Sequence, residues 1–462
     1  MNMFGRNVIK TDTTILTNEN ILDVLKDAMN DHLENRKRIE YLWDYYRGKQ
    51  PILEREKAVR PEICNRIVEN RANEIVSFKV GYLCGEPIQL VGRNADAKVS
   101  KAIAELNEMM FAENKATQDK KLVEWQMICG TAYRLVLPKK RKDEDDSPFE
   151  LFTLDPRDTF VVYSTEIDSK PVFAVKYSTD TKGTVNTYSI YTHNYYWKIK
   201  DREIIEDRPH ALGMIPIIEY PSNTARLGAF EPVLDLLDTL NNITSNRMDG
   251  IEQFVQAFMK FINCDITKDE YEEFLKLGAI KVKSADGTNA DVDMVSNELN
   301  QTQTQIAKQD VYNAILEITG MPNRNGGSST SDTGAAVILR DGWSAAETRA
   351  KDSELMFKEA EQHALRLILR ILKDSSGVSE ELSNLKLKDI SMKFTRRNYE
   401  NIQSKAQVLD TLLKNNKIHP RLAFTSCGMF PDSEDAYLAS MEYYKEEMEK
   451  QNQNQVQTTP QE

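Results

Sequence analysis

A glycine- and serine-rich stretch at residues 321–343, MPNRNGGSSTSDTGAAVILRDGW, has the composition of a loop that could bind a phosphate. Phosphate loops place backbone amides and a lysine at the start of a helix that directly follows a buried strand. This stretch has no lysine, and the residues before it follow the periodicity of a helix instead. The composition therefore argues against a nucleotide site and leaves two alternatives, a plain linker and a moving loop.

The other residues that carry chemistry are scattered along the chain. No HExxH or GxSxG motif accompanies the histidines. His363 follows Glu359 and Glu361 on a predicted helix, a pattern more typical of a solvated face than of a catalytic base. The aspartates between residues 286 and 293 lack the spacing of an EF-hand, and an Asp-Gly turn accounts for them. We therefore predict no enzyme activity, no metal site and no cofactor.

Cysteine usage and hydropathy set limits on the compartment. The five cysteines form no CxxC pair, and their odd number argues against a disulfide framework, so free buried thiols are expected. The first residues contain no apolar segment of a signal peptide, and no run is long enough to span a membrane. We expect a protein that is made in a cytoplasm and stays there unless it is carried into a particle.

Acidic residues outnumber basic ones in this chain of 462 residues, 72 to 60, which gives a net charge of −12. A protein that grips nucleic acid by its phosphates carries a basic face instead. Tight general DNA binding is therefore not expected, although DNA can pass close to an acidic surface without being held. The basic run KKRKDEDD at residues 139–146 is offset by the acids beside it and predicts a solvated hairpin tip.

Periodicity divides the N-terminal half into helices and then strands. Apolar residues recur at helical spacing over residues 17–47, 62–79 and 97–128. From residue 130 to residue 220, short alternating segments rich in valine, phenylalanine, tyrosine and threonine predict strands joined by turns. The sequence thus indicates an α+β fold.

Two long helical segments follow, and each needs neighbours along its length to bury its apolar face. The first, residues 231–262, has the strongest helical periodicity in the chain and would form a rod of about 45 Å. A compact unit at 263–297 contains a short helix and two strands around an Asp-Gly turn. The second rod, residues 298–320, is polar in its first half, so it suits a wall of a hydrated space. The neighbours could come from this chain or from other copies of it.

The C-terminal part is again mainly helical. A long helix over residues 335–374 is predicted to bend at Gly342, and the strand KDISMKFTRR follows it. Three short helices over residues 399–449 come next. The polar tail, residues 451–462, is predicted to be disordered.

Several motifs occur in a fixed order along the chain. The N-terminal ones are YLWDYYRGKQPI and NRIVENRANEIVSFKVGYLCGEPI, and the middle ones are CGTAYRLVL, LDPRDTFVVY and LGMIPIIEYPSN. EPVLDLLDTLNNITSNRMDGIEQF begins the first rod, and SSTSDTGAAVILRDGW follows the second. Each motif is weak alone, but their order and spacing from residue 35 to residue 445 are specific. In these features the chain resembles the phage portal proteins of the SPP1-like type.

The resemblance implies an α+β, predominantly helical portal fold with a β-rich wing, two long stem helices, a small α/β clip and a helical crown. Carried over by order, the parts are the wing (1–230), stem helix 1 (231–262), the clip (263–297), stem helix 2 (298–320), the tunnel loop (321–343), the long helix and wing strand (344–396), the crown (397–450) and the disordered tail (451–462).

The resemblance also implies a function. A ring of about twelve copies would sit at one capsid vertex, as a channel for double-stranded DNA during packaging and ejection. Implied partners are the terminase large subunit, a head-tail adaptor, and capsid and scaffold proteins, with no membrane. The chain would be assembled in the bacterial host cytoplasm and reside in the virion. Two alternatives are a helical scaffold or adaptor of phage assembly that forms no channel, and a DNA-handling enzyme, which the missing metal cluster and phosphate loop disfavour.

The same resemblance suggests site residues. We expect the tunnel loop to approach DNA through Asn323, Arg324, Asn325, Ser328, Ser329, Thr330, Ser331 and Asp332, an ordinary flexible loop being the alternative. Gln305 and Lys308 would line the channel on stem helix 2. For terminase or adaptor contact, the clip offers Lys281, Lys283, Asp286 and Asp291, for which a solvated hairpin is an equally good interpretation.

Overall fold

The computed structural model describes residues 5–93, 97–141, 143, 146–179, 185–255, 258–262, 267–269, 291–295, 301–323, 342–396, 402–430 and 433–456. The described residues form both helices and strands, the strands in several sheets, so the predicted α+β class is confirmed. The chain divides into two compact units. Unit 1 comprises residues 1–47, 72–232 and 317–462, and unit 2 comprises residues 48–71 and 233–316.

The helices and strands follow in chain order. The helices are α1 (Ile21–Tyr46), α2 (Arg71–Cys84), α3 (Ala97–Ala112), α4 (Lys115–Cys129), α5 (Leu234–Val255), α6 (Gln301–Thr319), α7 (Trp343–Lys373), α8 (Glu380–Ser383), α9 (Ile402–Leu413), α10 (Pro420–Cys427) and α11 (Ser433–Val456). The strands are β1 (Ile9–Thr11), β2 (Gln89–Gly92), β3 (Thr131–Pro138), β4 (Phe149–Leu154), β5 (Thr159–Ser164), β6 (Pro171–Thr179), β7 (Val185–Tyr191), β8 (Tyr195–Lys200), β9 (Glu203–Pro209), β10 (Ile217–Pro221), β11 (Phe258–Ile262), β12 (Asp291–Val295) and β13 (Ile390–Lys393).

A six-stranded sheet with the order β1-β5-β6-β7-β8-β9 forms the main layer of unit 1. It is antiparallel except where β1 pairs with β5. Successive side chains of a strand point to opposite faces, so Phe160 and Val162 pack in a cluster with Leu25 of α1 while Val161 packs in a second cluster with Ile217. The predicted strands of this region are confirmed.

A three-stranded antiparallel sheet, β10-β3-β4, lies in the same unit. The antiparallel pairing of β3 with β4 confirms the predicted hairpin, while residues 142, 144 and 145 of its tip lie outside the described residues. A cluster of buried charges joins this sheet to helices α4 and α7. Arg134 of β3 donates hydrogen bonds to Asp119 of α4 and, at 2.6 Å, to Glu361 of α7. Glu361 also accepts a 2.6 Å bond from the Tyr220 hydroxyl of β10. Lys115 lies 3.1 Å from Glu361. Burial would raise the pKa of Glu361, but Arg134 and Lys115 outweigh it and lower the pKa to about 2.

The sequence prediction for Glu361 is therefore wrong. Its side chain has no exposed surface, whereas His363 two residues later is exposed, so the two do not share a solvated face. Four described cysteines are free thiols; Cys129 and Cys427 are buried, as expected, whereas Cys64 and Cys84 are only half-buried.

Three helix predictions differ from the structure. Residues 97–128 form two helices instead of one, because Asn114 between them has a φ of 54°, in the left-handed region that asparagine tolerates. The helix expected over 62–79 begins only at Arg71. The rod expected over 231–262 ends at Val255, and residues 258–262 form a strand that pairs with β12. A run rich in phenylalanine and isoleucine suits a strand as well as a buried helix, so apolar periodicity alone does not separate the two.

The C-terminal elements also shift. Gly342 has a φ of 81° and directly precedes α7, so it starts this helix where a bend was expected; residues 335–341 lie outside the described residues. Helix α11 continues to Val456, six residues into the tail for which disorder was predicted, and the last six residues, 457–462, are outside the described part. Glutamine is a good helix former, which fits this extension.

Candidate functional site

Helix α5 of unit 2 has one buried face whose chemistry changes along its length. Leu234, Leu237 and Leu240 occupy this face in the first half, and Asn241, Ser245 and Asp249 continue it at spacings of four residues. All three polar residues are at most 4% exposed. Buried polar groups require hydrogen-bond partners, so this half of the face must meet something other than an apolar surface.

The partner is the extended segment at residues 65–69. The amide of Asn65 donates to Asp249 Oδ1 at 2.7 Å, and that of Ile67 donates to Ser245 Oγ at 3.0 Å. The amide of Glu69 donates to Asn241 Oδ1 at 2.8 Å. Four helical residues advance about 6 Å and two extended residues about 6.6 Å, so the two spacings match. We call these three bonds the amide ladder.

The amide ladder explains why residues 62–70 are not helical. In a helix, these backbone amides would bond to carbonyl groups four residues earlier. In the structure, three alternate amides donate hydrogen bonds to side chains of α5. The periodicity of residues 62–79 alone cannot reveal these bonds.

Asp249 anchors one end of the ladder. Its Oδ1 also accepts from the Asn65 side chain at 2.9 Å, while Oδ2 lies 3.0 Å from Arg55 and 3.1 Å from Lys57. Burial would raise the pKa of Asp249, but the bonds from Asn65 and Lys57 and the charge of Arg55 outweigh it and lower the pKa. The carboxylate is therefore ionised at neutral pH and holds two segments of unit 2 together.

Glu69 anchors the other end and connects it to helix α6. Its carboxylate accepts a 2.5 Å bond from Thr244 Oγ1, forms an ion pair with Lys308, and lies 3.4 Å from Arg71. Burial would raise the pKa of Glu69, but Lys308 and Thr244 outweigh it and lower the pKa. Helices α5 and α6 also meet where Arg247 donates to Gln305 Oε1 at 2.7 Å.

The first half of α6 is mostly exposed. Of its residues, Gln303, Gln305 and Asp310 are exposed and polar, and even Ile306 keeps 56% of its surface accessible. This half contributes few apolar contacts, so polar contacts such as the Lys308–Glu69 pair hold it within unit 2, whereas the second half buries Ile315 and Leu316.

The comparison with protein families decides the identity. A model of the family described as "Phage portal protein, SPP1 Gp6-like" matches residues 25–454, which include α5, α6 and the amide ladder. The chain belongs to the phage portal protein family. A chain in the solved structure titled "Neck of empty GTA particle computed with C6 symmetry" aligns with 78% of this portal chain and 90% of its own length, at 12% identity and a TM-score of 0.44. No match was found among curated proteins.

Family membership confirms the resemblance drawn from the sequence. Portal proteins are structural components of phage particles rather than enzymes. Among the described residues of this portal chain, no group of three or more histidine, cysteine or carboxylate side chains is placed to hold a metal ion. None of the described helices is long and apolar enough to cross a membrane.

The site residues proposed for the portal chain fall partly within the structure. Gln305 and Lys308 lie four and seven residues after the first residue of α6. Their side chains bond to Arg247 and Glu69, both in unit 2. Asn323 is described, whereas residues 324–332 of the loop are outside the described part, as are Lys281, Lys283 and Asp286 of the clip. The backbone of Asp291 pairs with Ile262 at the start of β12. The roles assigned to these residues remain predictions.

Sequence reasoning missed the ladder residues of the portal chain. A signal was present, because Asn241, Ser245 and Asp249 interrupt the apolar stripe of α5 at spacings of four. Such a regular polar replacement on a buried face indicates a hydrogen-bonded partner.

Proposed function

We propose that the portal chain assembles into a closed ring of about twelve copies at one capsid vertex. Double-stranded DNA passes through its axial channel, inward when the terminase packages the genome and outward at ejection. The ring also serves as docking platform for a head-tail adaptor and contacts capsid and scaffold proteins. The observation that carries this proposal is the match of the portal family model to residues 25–454, nearly the whole chain.

Two physical features support a conduit. The exposed polar face of α6 suits a hydrated channel wall, because water and DNA can pass it without desolvating it. The net charge of −12 disfavours the phosphate pairing that would hold DNA in place. In this proposal α5 and α6 form the stem, residues 263–297 the clip, residues 1–230 and 344–396 the wing, and residues 397–450 the crown.

The loop at 321–343 is proposed to act as a moving part at the narrowest point of the channel. Its glycines permit backbone changes, and its small polar side chains can touch DNA without gripping it. Arg324 and Asp332 carry opposite charges, so the net charge of residues 324–332 is close to zero. The double substitution Gly326→Pro with Gly327→Pro restricts the backbone and is expected to impair packaging while rings still form. Normal packaging by this variant would remove the moving-loop proposal.

Negative-stain microscopy of the purified full chain tests ring formation directly. Hollow rings with a central hole are expected. Monodisperse monomers under all solution conditions, and also in particles, would favour a non-channel scaffold or adaptor instead.

A further inference from the structure

A depression of about 430 Å³ is lined only by residues of unit 1, and nothing in the proposed channel accounts for it. Helix α7 forms one wall with Lys358, Gln362 and Leu365, which share one helix face at spacings of four and three. The other wall comes from the turn before β13, from β13 itself, and from Arg93 at the end of β2. Ligand pockets in proteins commonly have volumes of this size.

The backbone holds the cationic side of this depression together. The amide of Arg93 donates to the carbonyl of Asp389 at 2.9 Å, in continuation of the β2–β13 pairing. This bond places Arg93 beside the turn that carries Lys388, and both side chains line the depression. Arg93 and Lys388 are exposed residues.

Lys358 adds the third cation from the opposite wall. Its ammonium group lies 3.2 Å from Glu354 and 5.2 Å from the ring of Phe394. Glu354 is shared with Arg396, so it serves two cations at once. Burial lowers the pKa of Lys358.

Charge distinguishes this depression from the rest of the chain. Among the described residues that line it, three are cationic and none is acidic, although acidic residues outnumber basic ones in the chain as a whole. The depression would therefore attract an anionic ligand, whereas the net negative charge of the chain would repel it on average.

The floor and the strand edge decide the class of anion. Leu387 and Met392 are half-buried and leave apolar surface beside the three cations, whereas Leu365 and Ile390 are buried beneath it; Gln362 and Ser391 add polar groups, and a bare phosphate would leave the apolar surface uncovered. Three consecutive residues of β13, Ile390 to Met392, line the depression, so it follows this edge strand. In the described part of the chain, β13 pairs with β2 alone. An extended peptide can add to such an edge.

We propose that this depression binds an extended peptide segment of a partner protein that carries carboxylates beside aliphatic or aromatic side chains. The carboxylates would bind Arg93, Lys358 and Lys388, and an apolar side chain would cover the floor. The proposal goes beyond the DNA channel and does not depend on it, because all lining residues belong to unit 1 of a single chain.

Fluorescence polarisation with the purified full chain tests the proposal. The probe is a fluorescein-labelled hexapeptide of alternating glutamate and leucine. Two control peptides replace glutamate by glutamine or leucine by serine, and a labelled oligothymidylate represents nucleic acid. Saturable binding of the acidic apolar peptide is expected, with clearly weaker binding of all three controls.

Matched variants locate the binding. Arg93→Gln with Lys388→Gln is expected to weaken binding by roughly 2-fold to 30-fold, the range for two partly exposed ion pairs. Arg366→Gln with Lys373→Gln removes the same charge from exposed positions of α7 outside the depression and should leave binding unchanged. Thermal unfolding verifies that both variants fold.

Several results would overturn the proposal: no saturable binding, equal binding of the glutamine or serine peptide, equal loss in both double variants, or oligothymidylate that competes with the peptide. Peptide binding by a chain that forms no rings would leave this inference standing while the channel proposal failed, so the two outcomes are separable.

Discussion

Replacing Ser245 by alanine removes the middle bond of the amide ladder. The Ile67 amide then has no acceptor at a position where Ser245 is 0% exposed, so water cannot readily replace the hydroxyl. A buried donor without a partner costs about 1–3 kcal/mol, and the better helix propensity of alanine recovers about 0.5 kcal/mol. We expect the segment at 65–69 to be held to α5 less strongly by about 0.5–2.5 kcal/mol.

Hydrogen exchange detected by mass spectrometry measures this loss where it occurs. Global unfolding of a chain with two units need not be two-state, so a local probe is preferable. Peptides covering residues 62–70 are expected to exchange about 2-fold to 70-fold faster in Ser245→Ala than in the unmodified chain. Peptides of the main sheet in unit 1 should not change.

Asn242→Ala is the matched control. Asn242 is the exposed neighbour of Asn241 on the same helix, and its replacement brings a similar gain in helix propensity without removing a ladder bond. If Ser245→Ala left exchange at 62–70 unchanged, or if Asn242→Ala accelerated it equally, the ladder would not be what holds this segment.

Two further perturbations test unit 1. Glu361→Gln leaves Arg134 and Lys115 in a buried site with one carboxylate fewer, and should lower the local stability of unit 1 by about 3–5 kcal/mol, measured by hydrogen exchange of peptides that cover β3, whereas Glu359→Gln on the exposed face should change it little. Burial lowers the pKa of His32 from 6.5 to about 4. Between these pH values His32 is therefore protonated in the unfolded chain but not in the folded chain. The melting temperature should therefore fall from pH 6.5 towards pH 4, and His32→Gln should reduce this fall; an unchanged pH dependence would contradict the assignment.

Much of the fold follows from the sequence because local pattern and tertiary structure agree there. The strands between residues 130 and 220 alternate clearly, and the sheet has a core on each face, as with Phe160 and Val161. Helix α5 combines a strong apolar stripe with helical spacing, so its existence was predictable, though its end at Val255 was not.

The predictions that failed concern residues whose partners lie far away in the chain. Residues 65–69 are extended because side chains some 170 to 190 positions later accept their amide bonds. Glu361 belongs to a helix with many surface charges, yet its side chain is buried and paired with Arg134 and Lys115. Neither contact leaves a periodic signal in the segment itself, because tertiary contacts override local propensity.

The candidate site could be predicted only at the level of segments. Order and spacing of motifs indicated the portal family, which the family match over residues 25–454 confirms. The pair of stem helices that they also indicated stays a prediction. They could not show that Lys308 bonds to Glu69, since the two residues are separated by 239 positions.

Asymmetric cryo-electron microscopy of DNA-filled particles tests the central proposal, that this chain forms the DNA channel. The proposal predicts a closed ring of the chain at one vertex, with α5 and α6 around an axial channel, the exposed face of α6 at Gln305 towards the axis, and DNA density inside. The proposal would be contradicted if the vertex carried no ring of this chain, or if DNA density passed through a channel formed by another protein.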